Sequence, residues 1–363
     1  MKKILLLGAG KIGEMITFLL SQTGDYEVTV ADISEANLKK IPSADNVKTL
    51  ALDISNSDKL VDAMQGKFAV LSACPFQLTK TIAHAAKKAN IHYMDLTEDV
   101  ASTRVVKDLA KDATSAFIPQ CGLAPGFISI VAYDLASKFD ELDSVKMRVG
   151  ALPQFPHNAL QYNLTWSTDG LINEYIQPCE AIVNGVLSEV PALEDCEQFS
   201  LDGTTYEAFN TSGGLGTLCE TLEGKVKNLN YRTARYPGHR DVMKLLIQDL
   251  RLGERDGMLK DIFEYALPLT EQDVVLIFVT VNGDIGGKHM QESYARRVYA
   301  REIDGKLCTA IQITTASGIC AVLDMLADGQ LPQQGFVKQE DISFSDFIKN
   351  RFGANYAHPA DDR

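Results

Sequence analysis

The first thirty-two residues constrain the fold of this chain more strongly than any other stretch. Lys2–Leu7 has a basic start and an aliphatic run, which is typical of a short buried strand. Gly8, Gly10 and Gly13 follow with the spacing G-x-G-x-x-G, and the next apolar residues recur at helical intervals. A second apolar strand then ends at Asp32. This order predicts a dinucleotide-binding βαβ unit rather than a glycine-rich turn without a ligand.

The chemistry of this unit favours NAD as the cofactor, with NADP remaining possible. The three glycines allow a tight turn, a close approach of the pyrophosphate and close helix–strand packing, and the helix N-terminus favours a phosphate. Asp32 is placed to accept hydrogen bonds from the adenosine ribose. Its carboxylate would repel a 2′-phosphate, and the residues that follow it, Ile33 and Ser34, include no arginine to offset that repulsion.

Composition limits the class of protein. The 363 residues suffice for two domains, and a formal net charge of −13 argues against nucleic acid as a partner. Seven cysteines without C-x-x-C pairs indicate a reducing, cytoplasmic setting, and the six scattered histidines predict no metal site. The apolar start ends too early for a signal peptide, and we expect neither a membrane-spanning stretch nor a membrane partner.

The alternation of strands and helices continues to about Gln120, which predicts an α/β fold with a Rossmann-type doubly wound parallel sheet. Ligands of such sheets lie beyond the carboxyl ends of the strands. The residues that follow the predicted strands are Asp53 and Ile54, Cys74 and Pro75, Asp95 to Glu98, and Cys121 to Gly126. The alternative for each is an ordinary loop with a helix cap, for which Thr97 and Asp99 are candidates.

The pattern changes after about Asp140, where strands with hairpin turns predict an α+β domain with a mainly antiparallel sheet. Its predicted strands include Gln161–Trp166 and a hairpin formed by Tyr294–Glu302 and Leu307–Ile313 about a turn at Asp304-Gly305. The predicted domains are residues 1–125 with about 314–363, and a substrate-binding and dimerisation domain at 126–313. We expect a small-molecule substrate in the cleft between them and a homodimer formed through the second sheet.

One run of this second domain carries candidate substrate chemistry. Arg235, Tyr236 and His239 surround a Pro-Gly turn; an arginine fork binds carboxylates, and a neutral histidine exchanges protons near neutral pH. The competing interpretation is a strand with solvated arginines and a capping histidine. A second run contains the sole tryptophan, Trp166, and helix capping by Ser167 or Thr168 explains part of it.

Several segments together resemble the saccharopine dehydrogenase family, in particular its saccharopine reductases and lysine 6-dehydrogenases. They are GAGKIG, SACP, HYMDLTED, GLAPGF, LTWSTDGLINEY, PCEAIVNG and RTARYPGH. The resemblance runs in order from Met1 to about Leu250 and more loosely beyond. It implies an NAD(P)-dependent oxidoreductase that acts on the C–N bond of a lysine-type amino acid.

Carried over by position, the resemblance assigns roles to individual residues. The implied cofactor-binding residues are Gly8, Gly10, Lys11, Ile12, Gly13, Asp32, Asp53, Ile54, Cys74, Pro75, Gly122, Pro125 and Gly126. The implied substrate-binding residues are Thr97, Trp166, Arg235 and Tyr236, and Asp95 and His239 are the candidates for acid/base catalysis. The C-terminal third is longer than in lysine 6-dehydrogenases, which leaves the substrate open among lysine, saccharopine and a carboxynorspermidine-type amine.

Two alternatives stay open. One is a non-catalytic dinucleotide-binding regulatory protein that keeps the fold without turnover. The other is a dehydrogenase of another family acting on a hydroxy acid, which would need a histidine or lysine base beside the nicotinamide.

Overall fold

The computed structural model describes residues 1–357, and the chain divides into two compact units. One comprises Met1–Ile130 together with the chain from Gln312 onwards, and the other is Val131–Ile311. In chain order the strands are β1 (Lys2–Leu7), β2 (Tyr26–Asp32), β3 (Val47–Ala51), β4 (Ala69–Ser72), β5 (His92–Asp95), β6 (Ala116–Ile118), β7 (Glu141–Pro153), β8 (Cys179–Val183), β9 (Val186–Val190), β10 (Glu197–Leu201), β11 (Thr204–Asn210), β12 (Val226–Arg235), β13 (Asp273–Ile285), β14 (Lys288–Tyr299), β15 (Arg301–Ile303), β16 (Lys306–Cys308) and β17 (Gly335–Phe336).

Twelve α-helices lie in the described residues. They are α1 (Lys11–Ser21), α2 (Glu35–Leu38), α3 (Ser57–Met64), α4 (Thr79–Ala89), α5 (Val100–Ala110), α6 (Phe127–Ala136), α7 (Thr168–Ile176), α8 (Leu218–Leu222), α9 (His239–Lys244), α10 (Asp256–Ala266), α11 (Ala310–Ala327) and α12 (Phe344–Lys349). A π-helical turn, Leu245–Asp249, extends α9.

The first unit contains a seven-stranded sheet in the order β17-β6-β5-β4-β1-β2-β3, with every pair parallel. This confirms the predicted doubly wound α/β fold. Ile4 to Leu7 are fully buried because the central strand is covered on both faces, and α1 buries the apolar residues that recur at helical spacing. The carboxyl ends of β1 to β6 therefore lie along one edge of the sheet.

The second unit contains an eight-stranded sheet whose main path is β10-β11-β12-β7-β13-β14. Its pairs are antiparallel except for β7 and β12, which are parallel. β8 pairs with both β12 and β9. The mainly antiparallel character predicted for this domain is confirmed, and the parallel pair at its centre was not anticipated.

Two predicted strands of the second unit are wrong. Gln161–Trp166 forms no strand beyond an isolated bridge from Leu164 to Leu269, because Tyr162 and Leu164 pack instead into an apolar cluster with α7 and α10. Leu307–Ile313 is interrupted by the start of α11. The buried carboxylate of Asp273 accepts hydrogen bonds from the Ala310 and Ile311 amides, at 2.6 and 3.0 Å, and so caps that helix.

The long hairpin of this unit also differs from the expected one. Tyr294 pairs with Val279 of β13, and the chain reverses at Gly286-Gly287, whose φ angles of +58° and +73° suit glycine. The expected turn at Asp304-Gly305 exists, but it joins only the short strands β15 and β16.

One helix is long and apolar enough to cross a membrane by length and composition, contrary to the expectation of no such stretch. It is α11, and 83% of its apolar window is buried inside the structure, as in the core helix of a globular domain. The described residues contain no second helix of this kind.

Candidate functional site

The glycine loop lies between β1 and α1, as the spacing predicts. Gly8 has a φ of +97°, and a Cβ on Gly13 would lie 1.9 Å from the Gly8 carbonyl oxygen, so helix and turn touch directly. A Cβ on Gly10 would meet no atom within 4 Å. The loop therefore closes on one side and stays open at Gly10, which is the shape that a pyrophosphate needs. Lys11, exposed, and Ile12, half-buried, begin α1.

Asp32 stands at the end of β2 and is bonded to the loop. One carboxylate oxygen accepts from the Ala9 amide at 2.7 Å and the other from the Ser34 amide at 2.7 Å. Because each oxygen accepts one hydrogen bond, each keeps a lone pair for a ribose hydroxyl. The side chain is half-buried, so these lone pairs stay accessible. This arrangement fits the predicted cofactor contact.

The other predicted cofactor residues lie on the same sheet edge. Asp53 is exposed and accepts from the Ser55 amide at 2.9 Å, whereas Ile54 is buried. Cys74 and Pro75 follow β4, and burial raises the pKa of the Cys74 thiol to about 12. The Cys74 thiol therefore stays protonated and uncharged at neutral pH.

Asp95 ends β5 and is almost completely buried. Its Oδ1 accepts from the amides of Thr97 and Gln120 at 3.1 and 2.8 Å, and its Oδ2 accepts from the Tyr93 hydroxyl. Burial raises its pKa to about 6, although these hydrogen bonds oppose the shift. Thr97 is buried, and its hydroxyl accepts from the Asp99 amide, while Asp99 caps α5. Of the two capping candidates in this loop, Asp99 is therefore the cap and Thr97 is not.

Glu98 lies in the range that was predicted at this sheet edge, but the sequence assigned it no role of its own. It is half-buried, and burial followed by repulsion from Asp99 and Asp95 raises its pKa to about 7. A side chain that is both accessible and able to titrate at neutral pH is a stronger acid/base candidate than Asp95, whose oxygens are all engaged. The raised pKa depends on burial and could not be read from sequence.

The Gly122–Gly126 segment is a buried turn rather than an exposed surface of the ligand site. Gly126 has a φ of +133°, and a Cβ there would lie 2.2 Å from the Gly122 carbonyl oxygen. Gly122 and Pro125 are buried as well, and only Ala124 is half-exposed. These residues fix the shape of the sheet edge, and any contact they make with a ligand passes through the backbone or Ala124.

Arg235 is the centre of a buried cluster in the second unit. It is 2% exposed, and its guanidinium carbon lies 5.1 and 5.8 Å from the ring centroids of Tyr162 and Tyr175. Its Nε donates to the Tyr175 hydroxyl at 2.9 Å. Tyr162 and Tyr175 are the partners that sequence reasoning missed, because they lie far from Arg235 along the chain.

His239 is fully buried behind Tyr175. Its Nδ1 lies 2.8 Å from the Leu160 carbonyl oxygen, which can only accept, so Nδ1 carries the proton. Nε2 is then an acceptor for the Tyr175 hydroxyl at 3.0 Å. Burial and Arg235 lower the pKa of His239 to about 3. Both nitrogens are engaged and the ring is neutral, so these contacts fit a positioning role and oppose the predicted acid/base role.

The two remaining substrate-binding candidates, Trp166 and Tyr236, pack in different apolar clusters. Trp166 is half-buried and packs against the apolar cluster that contains Tyr162 and Tyr175. Ser167, the next residue, caps α7, the helix that carries Tyr175. Tyr236 packs with a different cluster, against Leu152 and Ala234, and its hydroxyl donates to the Pro153 carbonyl at 3.0 Å. Tyr236 therefore does not join Arg235, because successive residues leave a strand on opposite faces.

Comparison with known proteins agrees with this geometry. Residues 4–118 match the model described as the saccharopine dehydrogenase NADP binding domain, and residues 122–352 match that of the saccharopine dehydrogenase C-terminal domain. The second match alone spans more than half of the chain. The chain belongs to the saccharopine dehydrogenase family.

Individual members of the saccharopine dehydrogenase family are distant. The chain is 26% identical over 200 residues to saccharopine dehydrogenase [NADP(+), L-glutamate-forming] of Schizosaccharomyces pombe, covering 52% of this chain and 44% of that protein. It is 24% identical over 196 residues to the mouse mitochondrial alpha-aminoadipic semialdehyde synthase, covering 52% of this chain and 21% of that protein. The matched stretches thus span less than half of these curated relatives.

A solved structure of this family shares the fold. The apo saccharopine dehydrogenase (L-Glu forming) of Saccharomyces cerevisiae has a TM-score of 0.79 and 15% identity, covering 97% of this chain and 98% of that one. The family match of residues 4–118 identifies the first unit as an NAD(P)-binding domain of this family. Among residues 1–357 no group of three or more histidine, cysteine or acidic side chains is placed to hold a metal ion.

Proposed function

We propose that this protein is an NAD(P)-dependent oxidoreductase that acts on the C–N bond of a lysine-type amino acid, with saccharopine as the first candidate substrate. The observation that carries the proposal is the buried Arg235 between two tyrosine rings, since a desolvated guanidinium recognises a carboxylate strongly. The family membership and the open glycine loop support it. Lysine and a carboxynorspermidine-type amine are the alternative substrates.

In this proposal the residues of this chain bind the substrate and transfer its protons. The bound dinucleotide supplies or accepts the hydride. Glu98 or Asp95 takes the amine proton as the hydride leaves the carbon and returns it to the imine nitrogen. The same carboxylate then accepts a proton from the water that adds to the imine carbon and donates it to the departing amine. Arg235 holds a substrate carboxylate, and Tyr175 with His239 keeps the guanidinium in one orientation.

The test is a steady-state assay of the purified protein. Saccharopine, lysine and a carboxynorspermidine-type amine would each be tried with NAD and NADP in both directions, following nicotinamide absorbance. We expect turnover with saccharopine, and a fall in kcat/KM of on the order of a hundredfold for Arg235→Lys, which cannot form the same bidentate contact. Absence of turnover with every substrate would overturn the proposal in favour of a non-catalytic dinucleotide-binding protein.

Asp32 gives the cofactor proposal its own test. We propose NAD as the preferred dinucleotide, although the matching family model is described as NADP-binding. Asp32→Ser removes the charge that repels a 2′-phosphate while leaving a hydroxyl near the Ala9 amide. We expect the ratio of Kd for NADP to Kd for NAD to fall by on the order of tenfold or more, measured by fluorescence titration. An unchanged ratio would contradict this role of Asp32, and Asp62→Ser, exposed on α3, is the matched control.

A further inference from the structure

The second unit carries a polar cavity on the face of its sheet opposite to Arg235. Asn230 pairs with Lys146 and Arg232 with Arg148 across the parallel strands β12 and β7. Because alternate residues of a strand share a face, these four side chains lie on one side and Arg235 on the other. A cavity of about 610 Å³ lies over this side. Its polar lining includes Ser144, Lys146, Asn210, Asn230, Arg232 and Asn282.

Positive charge is in excess at this place. Glu197 forms ion pairs with two arginines. Its Oε1 lies 2.6 Å from Arg148 Nε, and its Oε2 lies 3.1 Å from Arg232 Nη1. Lys146, half-buried, has no hydrogen bond or ion pair among the residues that the structure describes. Three cations thus share one carboxylate in a chain whose formal net charge is −13. Like charges facing each other across strands are unfavourable without a counter-charge.

The carboxylates at the rim of the cavity do not supply that counter-charge. Asp195 is exposed and accepts from the Asn210 amide at 3.0 Å. Asp143 pairs with Lys227 and lies 3.6 Å from His289 Nδ1. Each rim carboxylate therefore already has a partner of its own.

Two buried polar atoms of the lining have no partner. They are the Arg232 Nε and the Asn230 Oδ1. A buried donor left unpaired is unfavourable, and native structures leave few such groups without a reason. An anion would satisfy Arg232 directly, and the Asn230 amide can rotate to present its NH₂ group. The cavity is also lined by Ile182, Val183 and Val190, whose apolar side chains suit contact with the hydrocarbon part of an organic anion.

We propose that this cavity binds a small organic anion through its carboxylate or phosphate group, at a site separate from the dinucleotide loop and from Arg235. Lys146 and Arg232 supply the charge, and Asn230 and Asn282 supply amide contacts. Citrate and inorganic phosphate are suitable probes, because they carry the two anionic chemistries and differ in their organic part.

Thermal unfolding of the full chain in citrate or phosphate tests the site, with ionic strength held constant by sodium chloride. At ten times the dissociation constant we expect Tm to rise by about 3–5 °C. The rise should shrink in Lys146→Gln and vanish in Asn230→Asp, which places a carboxylate opposite Lys146 and should raise Tm in anion-free buffer. Lys288→Gln, exposed on β14 outside the lining, is the matched control and should respond like the wild type.

A direct measurement keeps the proposal testable if a variant is unstable. Calorimetric titration of the wild type with citrate should show one site per chain, weakened in Lys146→Gln and lost in Asn230→Asp. An equal anion response in all variants would overturn the proposal, because it would assign the effect to the solvent or to the dinucleotide loop. A shift from dimer to monomer in Asn230→Asp, with no citrate binding to the wild type, would also overturn it by assigning this face to a subunit interface.

Discussion

His239 shows how far a residue's surroundings alter its chemistry. A histidine in the sequence predicts proton exchange near neutral pH, but the fold places this ring in a fully buried position beside a guanidinium. The Leu160 carbonyl fixes its tautomer, and the Tyr175 hydroxyl occupies its other nitrogen. The side chain therefore contributes a neutral acceptor, and its protonation is linked to unfolding.

The pH dependence of stability tests this at the residue scale. The pKa of His239 falls from 6.5 to about 3 on folding, so its contribution to stability is complete above pH 6.5 and is lost as the pH falls towards 3. At pH 5 the loss amounts to about 2 kcal/mol. We expect urea unfolding to show a steeper fall in stability for the wild type than for His239→Asn. The exposed His157→Asn is the control, and equal slopes for wild type and His239→Asn would contradict the assignment.

At the scale of elements, the strand–turn–helix of the dinucleotide loop uses its glycines for different purposes. Gly13 is required by packing, since a Cβ would lie 1.9 Å from the Gly8 carbonyl oxygen. Gly10 faces open space, so its lack of a side chain matters only when a ligand approaches. The spacing predicts these two different roles, close approach of the pyrophosphate at Gly10 and packing at Gly13, and the backbone geometry agrees with both.

A pair of alanine substitutions tests this separation. Gly13→Ala should destabilise the protein by about 1–3 kcal/mol through overpacking. Gly10→Ala should leave stability within about 0.5 kcal/mol of the wild type but weaken dinucleotide binding by on the order of tenfold. Thermal unfolding and fluorescence titration measure the two effects. A stability loss in Gly10→Ala as large as that in Gly13→Ala would contradict the distinction.

At the scale of the whole molecule, the first unit is built from both parts of the chain. Asp324 of α11 is bound by the Tyr26 hydroxyl at 2.6 Å, by the Asn350 amide at 2.9 Å and by two nitrogens of Arg351 at 2.6 and 3.1 Å. Tyr356, near the end of the described residues, is fully buried and stacks on Phe127 with ring centroids 3.9 Å apart. The C-terminal segment is thus part of this domain's core.

Loss of this network should destabilise one unit. Asp324→Ala leaves the buried Tyr26 hydroxyl, the half-buried Asn350 amide and part of Arg351 unpaired, and we expect a cost of about 2–3 kcal/mol. Asp328→Ala, exposed near the same helix, is the matched control. Hydrogen exchange should show the loss of protection in β1, β2 and α11 and not in β13. A loss spread equally over both units, or no greater than that of the control, would contradict this account.

The sequence by itself determined the parallel dinucleotide-binding sheet, the glycine turn and the position of Asp32. These features were predictable because they are local: a few contiguous residues carry the strand, the turn and the helix start. The capping of α5 by Asp99 and of α7 by Ser167 was anticipated for the same reason.

Only the tertiary structure decided which side chains meet in the second unit. Tyr175 reaches Arg235 across 60 positions of sequence, and Lys146 faces Asn230 because two distant strands run parallel in one register. Periodicity shows which residues of a strand share a face, but it does not give strand order or register. The partners of Arg235, the neutrality of His239 and the unpaired charge of Lys146 all depend on that order, because hydrogen bonding and desolvation are set by non-local packing.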